Sequence, residues 1–152
     1  MTPPRNQHLL IDADDTLWEN HAYFIVVHQE FLDLMESKGL DRGHVDHVLR
    51  EIEAERTQTR GYGSTNYALS LVETVEAVNG GVDQPMRDRL LGRGHWIHDH
   101  PIEVFPGVTK TLEILSTRHE IIMVTKGNKT EQESKIARSG LAHLFAEVEI
   151  LS

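Results

Sequence analysis

The chain has 152 residues, 39% hydrophobic and 26% charged, which is the composition of a globular domain rather than a disordered or coiled-coil chain. Its net charge of −9 disfavours binding to nucleic acid or to an anionic membrane surface. The absence of cysteine excludes disulfides and thiol catalysis, and no apolar run is long enough to predict a membrane span. Together with a polar N-terminus, these features favour a cytoplasmic protein.

The predicted elements begin with a short apolar run, His8 to Ala13, that leads into acidic residues. Such a run predicts a buried strand with carboxylates at its C-terminal end. From about residue 19 to 99, apolar residues instead recur at helical spacing, which predicts four consecutive helices, with Asn20, Asp41 and Asp83 as N-caps. A helical block of about 80 residues is too long for a crossover between two strands, so we interpret it as an inserted cap.

After Gly107 the pattern alternates between helices and strands. The predicted elements are a helix from Val108, a buried strand at Glu120 to Thr125, a helix opened by a capping box at Thr130 and Glu133, and a strand at Glu147 to Leu151. This order predicts an α/β fold with a Rossmann-like parallel sheet core of about three strands and an inserted all-helical cap. We expect residues 1–18 and 101–152 to form the core and residues 19–100 to form the cap.

Polar residues follow two of the predicted strands, and ligands in open parallel sheets bind at these strand ends. Asp12 and Asp14 follow the first strand, and Thr125 and Lys126 end the second. Two carboxylates in this arrangement can act as nucleophile and proton donor. A hard cation such as Mg²⁺ would relieve their repulsion, and a Thr hydroxyl and free turn amides are suitable donors to phosphoryl oxygens.

These two segments resemble the motifs of a known family. Asp12-Ala13-Asp14-Asp15-Thr16 is similar to the first motif, Asp-x-Asp-x-Thr, of the haloacid dehalogenase-like hydrolases, and Val124-Thr125-Lys126-Gly127-Asn128 resembles the second. The segment from Phe105 to Val108 resembles the family's return to its core after the cap. Glu133 to Val148 is similar to the helix and strand that follow the second motif, so the resemblance covers essentially the whole chain.

The resemblance implies a Mg²⁺-dependent phosphatase that acts on a small phosphorylated molecule through an aspartyl-phosphate. It implies these roles: Asp12 as nucleophile, Asp14 as general acid and base, Asp12 and Asp14 as Mg²⁺ ligands, Thr125, Lys126 and Ala13 as phosphate-binding residues, and Thr16 as a hinge of the mobile turn. Dehalogenases of the family lack the second acid, because a halide leaves without a proton. The presence of Asp14 therefore favours a phosphatase, with a 2-haloacid dehalogenase as the alternative.

Other polar and aromatic residues near these motifs have ordinary structural interpretations. We interpret Asp15 as a turn or helix-start residue rather than a third catalytic acid, and Trp18 as a packing residue. The cluster of His95, His98 and His100 suggests a metal site, but it lacks a cysteine or a well-spaced set of acids. We interpret the cluster as an ordinary helix end.

In this family a third-motif lysine and further acidic Mg²⁺ ligands normally follow the strand that here is Glu147 to Leu151. The chain ends at Ser152, and Lys126, Lys129 and Lys135 fall too early to be that lysine, so we expect the sequence to be a fragment. A three-stranded sheet would leave the strand before Asp12 as an open, apolar edge. The alternative to an active phosphatase is therefore a catalytically incomplete fragment that self-associates, as a homo-oligomer, through this edge.

Overall fold

The computed structural model describes residues 7–151, and these form two compact units. One unit comprises the residues up to His21 and those from Pro101 onward, and the other comprises Ala22–His100. Within residues 7–151 the elements are, in chain order, β1 (His8–Ile11), α1 (His21–Ser37), α2 (Arg42–Arg60), α3 (Ser64–Asn79), α4 (Gln84–Asp99), α5 (Val108–Ser116), β2 (Glu120–Lys126), α6 (Lys129–Ser139), a 3₁₀ turn (Ala142–Leu144) and β3 (Glu147–Leu151). None of the described helices is long and apolar enough to cross a membrane.

The first unit is built on a parallel sheet with the strand order β1-β2-β3. Ile11 lies opposite Met123 and Thr125 lies opposite Ile150, so both crossovers join neighbouring parallel strands through a helix or helices. The α/β prediction is thereby confirmed. One face of the sheet forms a hydrophobic core with the helices; its buried residues include Trp18, Leu112, Ile121, Met123 and Ile136.

The β1 strand differs from its prediction in length and in burial. It ends at Ile11 rather than Ala13, because the chain turns there and the Ala13 carbonyl accepts hydrogen bonds from the Thr16 and Leu17 amides. β1 is an edge strand, as expected for a sheet of three strands, but it is not the buried strand that its apolar run predicts, because Leu10 is 69% exposed. Side chains alternate between the two faces of a sheet, so one row of β1 side chains is partly buried and the other is exposed.

The second unit consists of the four predicted helices. Asp41 and Asp83 cap α2 and α4 as predicted, accepting hydrogen bonds from the amides of His44 and Met86 at 2.7 and 2.8 Å. The apolar faces of the four helices enclose a hydrophobic core that is distinct from the core of the first unit. Its fully buried residues include Met35, Val45, Leu49 and Leu71.

A glycine sets the closest approach between α3 and α4. A Cβ atom at Gly94 would lie 2.7 Å from the Ala68 Cβ and 2.9 Å from the Ser64 carbonyl oxygen. Gly92, two residues earlier in the same helix, has no atom within 4 Å of its Cβ position. The two glycines therefore differ in packing while sharing one helix.

A chain of polar contacts connects helices of the second unit. The Tyr67 hydroxyl lies 3.3 Å from His28 Nδ1, His28 Nε2 lies 2.7 Å from Asp46, and Arg50 donates to Asp46 at 2.9 Å. Burial raises the pKa of Tyr67 well above its usual value. Burial alone would raise the pKa of Asp46, but hydrogen bonds from Arg50 and His28 outweigh it and lower that pKa.

Replacing Gly94 with Ala is expected to lower the free energy of unfolding by about 1–3 kcal/mol, because the new methyl group must displace a helix backbone. Gly92→Ala, the matched control, is expected to raise it by about 1 kcal/mol, because Ala is the better helix former. Urea unfolding followed by circular dichroism measures both. Equal effects at the two positions would contradict the close packing at Gly94.

Replacing Asp46 with Asn is expected to destabilise the protein at neutral pH and much less in acid. The pKa of Asp46 is lower in the folded than in the unfolded state, where it is about 3.9. Its stabilising contribution is therefore present above pH about 4 and is lost as the pH falls through the folded-state pKa. Thermal unfolding of the unsubstituted protein and of Asp46→Asn, measured from neutral pH to below pH about 4, tests the prediction. A difference in unfolding temperature that stays constant over this pH range would contradict it.

Candidate active site

The parallel pairing of β1 and β2 brings the ends of the two predicted motifs to the same edge of the sheet. Asp12 directly follows Ile11, whose partner on β2 is Met123, and Thr125 lies two residues beyond Met123. Lys126 is the last residue of β2 and has an exposed side chain. Asp12 and Thr125, which are more than 100 positions apart in the sequence, thus lie at the same edge of the sheet.

The turn after β1 orients the first of the predicted catalytic carboxylates. Asp12 is exposed, and its Oδ2 accepts a hydrogen bond of 2.8 Å from the Thr16 hydroxyl. Thr16, predicted as a hinge of the turn, therefore also contacts Asp12 directly. The methyl group of Ala13 is buried, and its carbonyl accepts hydrogen bonds from the Thr16 and Leu17 amides within the turn. The phosphate-binding role predicted for Ala13 would therefore belong to its amide.

Asp15 is a turn and helix-start residue, as interpreted from the sequence. It adopts the left-handed backbone conformation, with φ of 60°, and its Oδ1 accepts from the amides of Asn20 and His21 at 3.0 and 2.9 Å. Asn20, the predicted N-cap, directly precedes α1. Its side-chain oxygen accepts a hydrogen bond from Lys135 at 3.2 Å, so Asn20 also contacts the helix that follows β2.

Asp14 is held by hydrogen bonds from three side chains. Trp18 Nε1 donates to Oδ1 at 2.8 Å and Gln132 Nε2 donates to Oδ2 at 2.9 Å. The Lys135 ammonium lies 2.6 Å from both oxygens. The Asp14 and Lys135 side chains are 19% and 12% exposed, so this is a largely buried ion pair. Trp18 accordingly has a polar contact in addition to its predicted packing role.

Two of these donors to Asp14, Gln132 and Lys135, lie on the helix α6. The predicted capping residue Thr130 is wrong, because Asn128 caps the helix by accepting from the Glu131 amide at 3.1 Å. The earlier start follows from the tight turn at Gly127, whose φ is 151°. A Cβ atom at Gly127 would lie 2.6 Å from Gln132 Nε2, so the missing side chain makes room for the Gln132 amide.

Thr125 has a buried hydroxyl whose hydrogen-bonding capacity is not used by the described residues. Its side chain is buried, and its hydroxyl has no hydrogen-bond partner among residues 7–151. A buried hydroxyl normally has a partner, so this one is available to a ligand at the strand end. The adjacent Lys126 carbonyl accepts from Gln132 Nε2 at 3.2 Å, which ties the end of β2 to the group that also bonds Asp14.

The residues at the strand ends fit Mg²⁺ as an incomplete ligand set. The Asp12 carboxylate is exposed with one oxygen bonded to Thr16, and the Asp14 backbone carbonyl is a second hard oxygen donor. Mg²⁺ usually retains several water ligands, so two protein donors suit it. No cluster of three or more His, Cys, Asp or Glu suited to a metal ion occurs in the described part of the chain.

His100, one of the three clustered histidines, makes an aromatic contact within the second unit. Its ring lies against that of Tyr23, with ring centroids 3.7 Å apart.

Two of the side chains that contact Asp14 are not among the site residues that the sequence predicts. They are Gln132 and Lys135. Their spacing of three residues places them on one face of α6, the helix that follows β2. That spacing is the signal by which the sequence could have indicated them.

Comparison with known structures gives the same fold with partial coverage. A haloacid dehalogenase-like family hydrolase from Xanthomonas campestris is 28% identical with a TM-score of 0.80, over 97% of this chain and 63% of that one. A HAD-hydrolase from Bacillus subtilis bound to magnesium is 14% identical with a TM-score of 0.61, over 97% and 66%. The L-2-haloacid dehalogenase from Xanthobacter autotrophicus with chloropropionic acid covalently bound is 17% identical with a TM-score of 0.51, over 94% and 56%.

This chain therefore spans less than two thirds of the length of the Xanthomonas hydrolase. Comparison with curated proteins gave no match. Comparison with protein families matches residues 7–152, nearly the whole sequence, to one family, in agreement with the two motifs at the strand ends. The chain belongs to the haloacid dehalogenase-like hydrolases.

Proposed function

We propose that this hydrolase is a Mg²⁺-dependent phosphatase that releases phosphate from a small phosphorylated molecule through an aspartyl-phosphate on Asp12. The observation that carries the proposal is a second carboxylate, Asp14, two residues after the first and fixed by Trp18, Gln132 and Lys135. An alcohol or phenol leaving group needs a proton, which a second carboxyl group supplies.

In the first step, the Asp12 carboxylate attacks phosphorus, and the bond from phosphorus to the leaving oxygen breaks. Asp14 in its protonated form gives its proton to that oxygen, so the leaving group departs as a neutral alcohol. The Thr16 hydroxyl holds Asp12 Oδ2, which leaves Oδ1 as the attacking oxygen. The unpartnered Thr125 hydroxyl donates to a phosphoryl oxygen, and the Ala13 and Lys126 amides are its proposed companions.

In the second step, a water molecule attacks the phosphorus of the aspartyl-phosphate. Asp14, now ionised, accepts the proton of that water, the bond between phosphorus and Asp12 breaks, and inorganic phosphate leaves. The same side chain thus gives a proton in the first step and takes one in the second. The enzyme returns to its starting state with the proton back on Asp14.

Mg²⁺ would be held by the Asp12 carboxylate and the Asp14 backbone carbonyl. When bound, such an ion neutralises phosphate charge and reduces its repulsion from Asp12. The magnesium bound to the Bacillus hydrolase supports this part of the proposal.

The alternative activity is dehalogenation of a 2-haloacid, which the Xanthobacter structure brings into consideration. In that reaction a carboxylate displaces a halide from carbon, and the halide leaves without a proton. Nothing in such a reaction uses a proton donor at Asp14. The fixed position of Asp14 therefore favours phosphate esters as substrates.

Replacing Asp12 with Asn is expected to reduce the release of p-nitrophenol from p-nitrophenyl phosphate, in the presence of Mg²⁺, to background, because the nucleophile is removed. In the unsubstituted chain, quenching during turnover should trap a phosphoryl group that hydroxylamine releases. Unchanged activity in Asp12→Asn, or no activity in the unsubstituted chain, would contradict the proposal.

Replacing Asp14 with Asn separates the two candidate activities. On phenyl phosphate we expect kcat to fall about 10²- to 10⁴-fold, the usual contribution of general acid–base catalysis. A dehalogenase would instead release chloride from 2-chloropropionate and tolerate the change. Assays of phosphate and chloride release from both proteins decide between them, and chloride release that survives Asp14→Asn would refute the phosphatase.

A further inference from the structure

Three acceptor oxygens lie around the ammonium group of Lys135, all of them on the turn after β1 and the residues that follow it. Both oxygens of Asp14 lie 2.6 Å from Nζ, and the side-chain oxygen of Asn20 lies 3.2 Å from it. Only 12% of the side chain is exposed, so the contact is shielded from solvent more than a surface ion pair is. A lysine side chain is long and flexible, so contacts with two residues at once restrict its position.

The contacts of Asp14 are unequal in kind. Trp18 and Gln132 are neutral donors, and each bonds a single oxygen. Lys135 carries a positive charge and bonds both oxygens. A charged donor holds a carboxylate more strongly than a neutral one.

Gln132 and Lys135 both lie on the helix α6, which restricts how far either side chain can move from Asp14. Gln132 rests against Gly127, where a Cβ would be only 2.6 Å from its nitrogen, and Lys135 follows one helical turn later. Both are set by the turn that ends β2, the strand that carries Thr125. Groups on a helix that follows a core strand are more precisely placed than groups on a loop.

We propose that Lys135 is a positioning residue for the reaction: it keeps the Asp14 carboxylate in place while Asp14 gives and takes a proton. The inference rests on the proposed phosphatase function and adds a residue to it. Lys135 does not touch the substrate in this proposal; it acts through Asp14. Without Lys135, only the two neutral donors Trp18 and Gln132 would hold the carboxylate. We expect that hold to be too weak to keep Asp14 directed at the reacting oxygen.

The test compares Lys135→Met with Lys129→Met, a matched change on the same helix at an exposed lysine whose nearest acid, Glu133, is 3.9 Å away. Two esters are used. Phenyl phosphate has a poor leaving group that needs a proton, whereas 2,4-dinitrophenyl phosphate has a good leaving group that departs without one. For Lys135→Met, kcat on phenyl phosphate is expected to fall about 10- to 100-fold, the cost of a misplaced catalytic group, with little change in KM.

With 2,4-dinitrophenyl phosphate, Lys135→Met should retain a rapid first turnover, seen as a burst of dinitrophenolate, followed by slow turnover. The burst remains because forming the aspartyl-phosphate needs no proton from Asp14, and the later turnovers slow because its hydrolysis does need Asp14. Lys135→Arg, which keeps the charge, should restore part of the lost rate. Lys129→Met should behave as the unsubstituted chain.

A second measurement does not depend on activity. The Trp18 indole N–H bonds Asp14, so its proton NMR signal reports the position of that carboxylate, and Trp96 in α4 provides an internal reference. Lys135→Met should shift the Trp18 signal and leave that of Trp96 unchanged. If Lys135→Met does not fold, Gln132→Leu, which removes one donor and keeps the ion pair, should shift the same signal and slow the same step to a smaller extent.

Three results would overturn the inference while leaving the phosphatase intact: equal slowing of both esters including the burst, activity equal to that of Lys129→Met, or an unmoved Trp18 signal. An unsubstituted chain that hydrolyses neither ester would instead contradict the proposed function, and the inference would fail with it. The two failures are therefore distinguishable by the behaviour of the unsubstituted chain.

Discussion

A carboxylate that is largely removed from water must find donors in the protein, and the arrangement of this site depends on how Asp14 finds them. Its partners come from the turn after β1 and from the helix after β2, so one side chain connects the two strand ends. The same helix start uses Gln132 to hold the carbonyl of Lys126. The contacts of one buried acid thus fix the relative positions of both family motifs.

Much of the fold was predictable because its signals are local. The helical and strand periodicities gave the right order of elements, and Asp41 and Asp83 cap the helices expected of them. The prediction failed at the start of α6. The side chain of Asn128, rather than that of Thr130, accepts the capping hydrogen bond, so the helix begins at Lys129.

The candidate site was predictable in its location but not in its internal contacts. Asp12 and Thr125 follow or end strands, and parallel pairing brings strand ends together whatever the intervening chain does. The contact between Lys135 and Asp14 joins residues that the sequence places 121 positions apart. The spacing of Gln132 and Lys135 indicates that they share a helix face, but it does not indicate which residue that face contacts. That contact depends on the rotation of α6 about its axis, which packing against the sheet determines.

The lack of space at Gly127 has an evolutionary consequence. Any side chain there would occupy the place of the Gln132 amide, which is the group that bonds both Asp14 and Lys126. A substitution at 127 is therefore expected to displace the Gln132 amide and to weaken both of its hydrogen bonds. Change at position 127 is in this way coupled to the contacts of the second acid, although the two residues lie on different elements.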